Sequence, residues 1–273
     1  MSQITTCYKH PDRETGVSCQ RCDKYICVSC ATPGAIGFLC PEDAKDRVKI
    51  QRPSFAKSPF QAAPVTIVLI AINVLVYIAQ QLNPDLTNWL LYAKYPQDTT
   101  YGSLFRVLTS SFAHSPGQIT HILFNMYSLY ILGTIIEPMI GKLRFLALYL
   151  LSAFGGGIGV LLLAELGVSV VGASGAIFGL MGAYLVFLRE LKLDARQMYV
   201  LIGINLFLGF LPGIAWQAHI GGLVVGAAVA LVLAKTRSRE QQSTQIGLLV
   251  GIVVVLAGLW VYGNSFFPGF VNY

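Results

Sequence analysis

The chain has 273 residues, of which 55% are hydrophobic and only 12% charged, with a net charge of +6. Soluble domains carry about 25% charge, so the composition excludes an ordinary soluble enzyme and points to a polytopic membrane protein. Nine of the 19 lysines and arginines and all six cysteines fall in residues 1–57. Basic residues facing anionic lipid account for that charge, and no nucleic-acid partner is needed.

The N-terminus, MSQITTCYKHPDRE, is polar and lacks the apolar core and small-residue cleavage site of a secretory signal. No cleaved leader is expected, and the first apolar segment is read as an anchor. Residues 7–43 hold four ligand pairs, each with two residues between its members: Cys7/His10, Cys19/Cys22, Cys27/Cys30 and Cys40/Asp43. That spacing lets two side chains of one turn converge on a tetrahedral metal. Only four residues separate Cys22 from Cys27, too few for adjacent pairs to close comfortably on one ion. An interleaved arrangement is expected, with Cys7, His10, Cys27 and Cys30 on one zinc and Cys19, Cys22, Cys40 and Asp43 on the other. The pattern resembles a B-box-type zinc finger, with Asp43 where such domains usually place Cys or His. Three disulfides are the alternative; they require an oxidising compartment, and the topology below argues against one. About forty residues can bury little apolar surface, so the two zinc ions are expected to be structural and to supply folding energy.

The expected organisation is a zinc-binding domain over 1–44, a basic juxtamembrane linker over 45–62, a membrane domain over 63–265 and a short tail over 266–273. The linker carries Lys45, Arg47, Lys49, Arg52 and Lys57, which suits a cytoplasmic lipid surface. Apolar segments then fall at about 64–82, 119–138, 143–164, 172–188, 197–212, 216–234 and 245–262. Each is near the length that crosses ~30 Å of hydrocarbon. With the N-terminus inside, the inner loops carry Lys142, Arg144, Arg189, Lys192, Arg196, Lys235, Arg237 and Arg239. The outer loops carry only Lys94 and Arg106. This bias places the N-terminal domain in the cytoplasm and the C-terminus outside. Within the long loop 83–118, LTNWLLYAKY (Trp89, Tyr92, Tyr95) is expected to lie in the outer interface.

Four side chains capable of chemistry lie within these segments: His121, Asn125, Ser174 and His219. Taken singly, a serine among glycines is packing glue and a buried histidine is a core residue. Their depths argue otherwise. Ser174 lies about 22 Å and His219 about 24 Å above the inner ends of two segments running in the same direction. His121 and Asn125, four apart on one helix face, lie near the outer end of a third. Serine needs a base to become a nucleophile, and His219 is the one available. Asn125, His121 and the Ser174 backbone N–H are candidate donors to an oxyanion. No Asp or Glu lies near these outer ends, so a Ser–His dyad is expected, with Phe178, one turn from Ser174, placed to pack on the imidazole.

These residues resemble the rhomboid family of intramembrane serine proteases. Gly172-Ala173-Ser174-Gly175 matches its GxSG motif. Ala218-His219-Ile220-Gly221-Gly222, followed by Gly226, matches AHxxGxxxG. His121-Ile122-Leu123-Phe124-Asn125 matches the HxxxN of its second helix. The resemblance spans about residues 60–265. It implies an all-α, rhomboid-like six-helix bundle plus a seventh C-terminal span, preceded here by the zinc-binding domain. It further implies a multi-pass protein of the bacterial plasma membrane that cleaves transmembrane protein substrates near the outer membrane face, with no cofactor for catalysis. Phe178 stands where bacterial members commonly have tyrosine, and Phe105-Arg106 where many have Trp-Arg. The resemblance assigns no partner to the zinc-binding domain. A catalytically silent membrane-protein binder or chaperone is the alternative function; silent members typically lack the serine or the histidine.

Overall fold

The computed structural model describes residues 5–33, 37–45, 59–94, 102–211 and 213–265. Residues 46–58 of the expected linker, Tyr95 and the tail 266–273 lie outside the described residues. The chain divides into two compact units, Met1–Ala56 and Lys57–Tyr273.

The first unit has little regular structure. Strands β1 (Thr32–Pro33) and β2 (Phe38–Leu39) pair antiparallel, Thr32 against Leu39 and Pro33 against Phe38, and lead into the short helix α1 (Pro41–Lys45). Its core consists of Ile26 and five buried cysteines, Cys7, Cys19, Cys27, Cys30 and Cys40. An apolar core this small does not hold a domain unaided.

The second unit is helical. Helix α2 (Pro59–Ala62) precedes α3 (Pro64–Leu82) and α4 (Asp85–Leu90). Strand β3 (Tyr92–Ala93) and α5 (Gly102–Thr109) follow, then the long helices α6 (Ile119–Ile140) and α7 (Lys142–Leu163). Strand β4 (Ser169–Val170) pairs antiparallel with β3, Tyr92 against Val170. Helices α8 (Ser174–Glu190), α9 (Arg196–Leu208), α10 (Trp216–Lys235) and α11 (Gln242–Ser265) complete the chain.

All seven expected apolar segments are helical, and five of them, α3, α6, α7, α10 and α11, are long and apolar enough to cross a membrane. The other two are shorter helices: α8 is displaced by two residues from its expected segment, and α9 ends short of the segment expected for it. Helix α8 has 17 residues and α9 has 13, or about 26 and 20 Å. Helix α8 begins only at Ser174 because Gly172, at φ +128°, holds a backbone conformation outside the helical range. Helix α9 stops at Gly209, and Gly213 turns the chain back at φ +86°.

Helices α7, α8 and α10 form the centre, and glycines let their backbones touch. A methyl on Gly222 or Gly226 of α10 would overlap the carbonyl oxygens of Gly175 and Gly179 on α8. On the other side of α10, a methyl on Gly221 would overlap the Gly155 carbonyl of α7. Small residues give membrane helices the close van der Waals contact that apolar burial cannot supply in lipid. The main buried cluster includes Phe145, Leu148, Tyr149 and Leu180, all fully buried.

Polar side chains tie the outer helices to this centre. Buried Glu137, near the C-terminal end of α6, accepts hydrogen bonds from the N–H of Val65 (2.9 Å) and from the N–H and hydroxyl of Thr66 (both 2.8 Å). It therefore caps α3 from another helix, satisfying donors that an N-terminus leaves unpaired. Gln245 of α11 accepts from Arg144 (2.8 Å) and donates to the Thr236 carbonyl (2.8 Å), which anchors an otherwise exposed helix.

The loop 83–118 departs from the simple interfacial expectation. Trp89 is 74% exposed, but Tyr92 is only 3% exposed and packs into a cluster with Val107, Val160 and Leu161. Pairing of β3 with β4 pulls Tyr92 inward. Lys94 is also buried, and its Nζ donates to the Ala164 carbonyl at the C-terminal end of α7, where the helix dipole favours a cation.

Candidate active site

Ser174 opens α8 and His219 lies in the first turn of α10, so the glycine contacts that join these helices also join the two side chains. His219 Nε2 lies 3.0 Å from Ser174 Oγ. For Nε2 to take the serine proton, the neutral ring carries its own hydrogen on Nδ1. That nitrogen is buried and makes no hydrogen bond among the described residues; it faces Gly209, at the end of α9. Among the described residues no carboxylate orients the ring. The Phe178 ring, one turn along α8, does so by stacking on it, with centroids 4.1 Å apart and planes within 10°.

Ser174 sits at a helix N-terminus, where the first N–H groups have no partner within the helix and the dipole favours negative charge. His121 stands opposite. Its Nδ1 accepts the Ser115 N–H at 3.4 Å, so the hydrogen of the neutral ring lies on Nε2. Nε2 is directed at Gly172: a methyl on that residue would come within 2.8 Å of it. Asn125 donates one amide hydrogen to the His121 carbonyl at 2.8 Å and keeps a second N–H. Ser174, His219, His121 and Asn125 all line one cavity of about 450 Å³, closed in part by Ser110 and Ser115. The structure thus brings together all four residues singled out within the apolar segments, with donors facing the nucleophile across a shared space.

Two contributors escape the sequence reading. His114 is fully buried and meets the His121 ring edge-on, with centroids 5.2 Å apart. Gln80, near the end of α3, clamps the backbone of the same residue: its Oε1 accepts the His114 N–H (3.0 Å) and its Nε2 donates to the His114 carbonyl (2.9 Å). Together they fix the loop that carries Ser115 beneath His121. The one available signal was a histidine seven residues before His121 in the loop SSFAHSPGQ.

In the N-terminal unit the expected ligands gather in two groups, Cys7, His10, Cys27, Cys30 and Cys19, Cys22, Cys40, Asp43, each with its ligand atoms within 4.8 Å of one another. His10 Nδ1 lies 3.7, 3.4 and 3.4 Å from the sulfurs of Cys7, Cys27 and Cys30. The edge of a zinc tetrahedron built from imidazole and thiolate is about 3.6 Å, so this group fits the ion. In the second group Asp43 Oδ2 lies 3.2 Å from the sulfurs of both Cys19 and Cys40, and Cys22 lies 3.8 Å from Cys40. Hydrogen bonds from the thiols of Cys22, Cys19 and Cys40 hold the Asp43 carboxyl down to about 2, so it is available as an anionic ligand. No two of the six sulfurs are bonded to each other, and each belongs to one of the two ligand groups.

Fold and site define a multi-pass membrane protein with a serine–histidine pair buried among its helices. The Rhomboid domain family model matches residues 101–236, a stretch that contains all four residues of the cavity site. The chain is 34% identical over 210 residues to rhomboid protease GluP of Bacillus subtilis (strain 168), covering 72% of this chain and 40% of GluP. It is 33% identical over 145 residues to putative rhomboid protease YdcA of the same organism, covering 51% of this chain and 72% of YdcA. A plant relative, RHOMBOID-like protein 6, mitochondrial, of Arabidopsis thaliana, is 34% identical over 190 residues, covering 60% of this chain and 61% of the relative. The chain belongs to the rhomboid family. The matched stretch spans less than two thirds of the plant relative and of GluP.

Proposed function

We propose that this protein is an intramembrane serine endopeptidase that cuts transmembrane helices of other proteins near the outer membrane face. The observation that carries this reading is the 3.0 Å contact between Ser174 Oγ and His219 Nε2 inside a cavity lined by hydrogen-bond donors. Ser174 Oγ attacks the scissile carbonyl carbon while His219 Nε2 takes its proton. The carbonyl oxygen, now an oxyanion, receives hydrogen bonds from the Ser174 N–H, His121 Nε2–H and the Asn125 amide. The histidine returns the proton to the leaving amine, and water hydrolyses the acyl-enzyme by the same route. The names of GluP and YdcA as rhomboid proteases support the reaction class.

The same reading places the chain in a bacterial plasma membrane with its N-terminus cytoplasmic and its C-terminus outside, all seven apolar helices counted as spans. A reporter fused after Tyr273 is expected to work only on the outer side; activity inside reverses the topology. In the N-terminal unit two zinc ions would be held by the two four-residue groups and would supply folding energy rather than catalysis. The deciding experiment compares wild type, Ser174→Ala and His219→Ala on a single-span substrate in proteoliposomes. Both variants are expected to stay folded and lose cleavage; near-normal turnover by either one refutes the assignment.

A further inference from the structure

The two ligand groups of the N-terminal unit differ in the chemistry of the fourth ligand and in the exposure of one cysteine. In the first group Cys7, Cys27 and Cys30 are buried, and the fourth ligand is an imidazole. In the second Cys19 and Cys40 are buried too, but Cys22 is exposed and the fourth ligand is the Asp43 carboxylate. Thiolate and imidazole are the better partners for zinc, whereas carboxylate suits harder cations. The turn that carries Cys19 and Cys22 ends on Asp23, whose N–H donates to the Cys19 carbonyl at 2.9 Å and which is held in the left-handed region at φ 58°. Such a conformation is tolerated by Asp at some cost and persists only where surrounding contacts enforce it.

We propose, resting on the zinc reading above, that the unit is a graded metal binder. The Cys7/His10/Cys27/Cys30 site keeps its ion as a fixed staple. The Cys19/Cys22/Cys40/Asp43 site exchanges its ion with the surrounding pool and thereby reports the availability of zinc. The exchange has a structural reader. Cys40 and Asp43 flank the start of α1, and Cys40 is packed against Cys19 through its backbone N–H, which donates to the Cys19 sulfur at 3.2 Å. Loss of the ion therefore frees α1 and the β1–β2 hairpin while the Cys7/His10 half stays folded.

The test uses the full-length protein in detergent, purified with zinc and assayed for metal content. Chelator is added, and released zinc is followed with a colorimetric indicator while N-ethylmaleimide traps exposed thiols for mass spectrometry. The expected result is two equivalents released in two phases. Supporting contacts alone shift metal affinity by about 10–100-fold, so a changed ligand is expected to separate the phases by at least about ten-fold. Alkylation in the fast phase should fall on Cys19, Cys22 and Cys40 and spare Cys7, Cys27 and Cys30. Asp43→Cys should slow the fast phase toward the slow one. A single phase, or equal labelling of the six cysteines from the start, overturns the grading while leaving the zinc reading intact. Metal content near zero before chelator overturns both. The wild-type labelling pattern decides the matter even where Asp43→Cys does not fold.

Discussion

Gly172 leaves the space that His121 Nε2 occupies: a methyl on Gly172 would lie 2.8 Å from that nitrogen and 2.9 Å from the adjoining ring carbon. The same glycine has φ +128°, a region L side chains rarely enter, and its N–H is held by the Ser110 carbonyl at 2.9 Å. Gly172→Ala therefore moves either the backbone before Ser174 or the imidazole opposite it. Turnover is expected to fall by roughly 10²-fold or more, the scale of losing an oxyanion donor, with KM changed less than kcat. A raised KM with kcat unchanged would place Gly172 in substrate binding instead.

Phe178 and His219 form a stacked pair, and stacking of this kind is worth about 0.5–1.5 kcal/mol. If the ring of Phe178 holds the base in line with Ser174, Phe178→Ala should lower kcat by about two- to tenfold. Phe178→Tyr keeps the ring and should retain most activity. The check is a full kinetic comparison of the three proteins. Unchanged kcat in Phe178→Ala shows that the imidazole is held by its helix alone.

Glu137 predicts a stability effect far from the chemistry. Its carboxyl accepts three hydrogen bonds at the start of α3. Glu137→Ala strands buried donors, at about 1–3 kcal/mol for an unsatisfied buried group. The expected outcome is a lower Tm in detergent, with Glu137→Gln intermediate because an amide keeps one accepting oxygen. Wild-type Tm in Glu137→Ala would show that water replaces the carboxyl there.

Metal and proteolysis should separate. The N-terminal ligands and the serine site belong to different compact units. Strong chelation, or deletion of residues 1–50, is expected to leave cleavage of a model substrate largely intact in detergent. A serine-directed fluorophosphonate should abolish it with the metal content unchanged. Chelation that stops cleavage, with added zinc restoring it in Ser174→Ala as well, would assign the reaction to a metal.

Hydropathy locates the helices because the bilayer imposes one length and one polarity on every crossing segment. It misjudges their ends at α8 and α9, where Gly172 and Gly213 turn the chain within an apolar stretch. Apolar character alone does not register a change of backbone conformation. Ser174, His219, His121 and Asn125 stood out because polar groups are rare among apolar ones. His114 did not, since it lies in a loop with no periodicity, and Gln80, which clamps its backbone, is 34 residues away in the chain. Tyr92 looked interfacial by composition, and only its pairing with Val170, brought close by α5 to α7, takes it inside.

The glycine seam between α8 and α10 has a consequence for how such a protein can diverge. The positions of Ser174 and His219 are registered by carbonyl oxygens and Cα atoms, Gly222 on Gly175 and Gly226 on Gly179, rather than by interlocking side chains. Main-chain atoms are common to every sequence. The outward residues of the same helix, such as Val224 and Leu231, are exposed and take no part in that seam. Substitutions there can follow the thickness, fluidity and headgroups of whichever bilayer the cell makes, and the alignment of nucleophile and base is inherited unchanged.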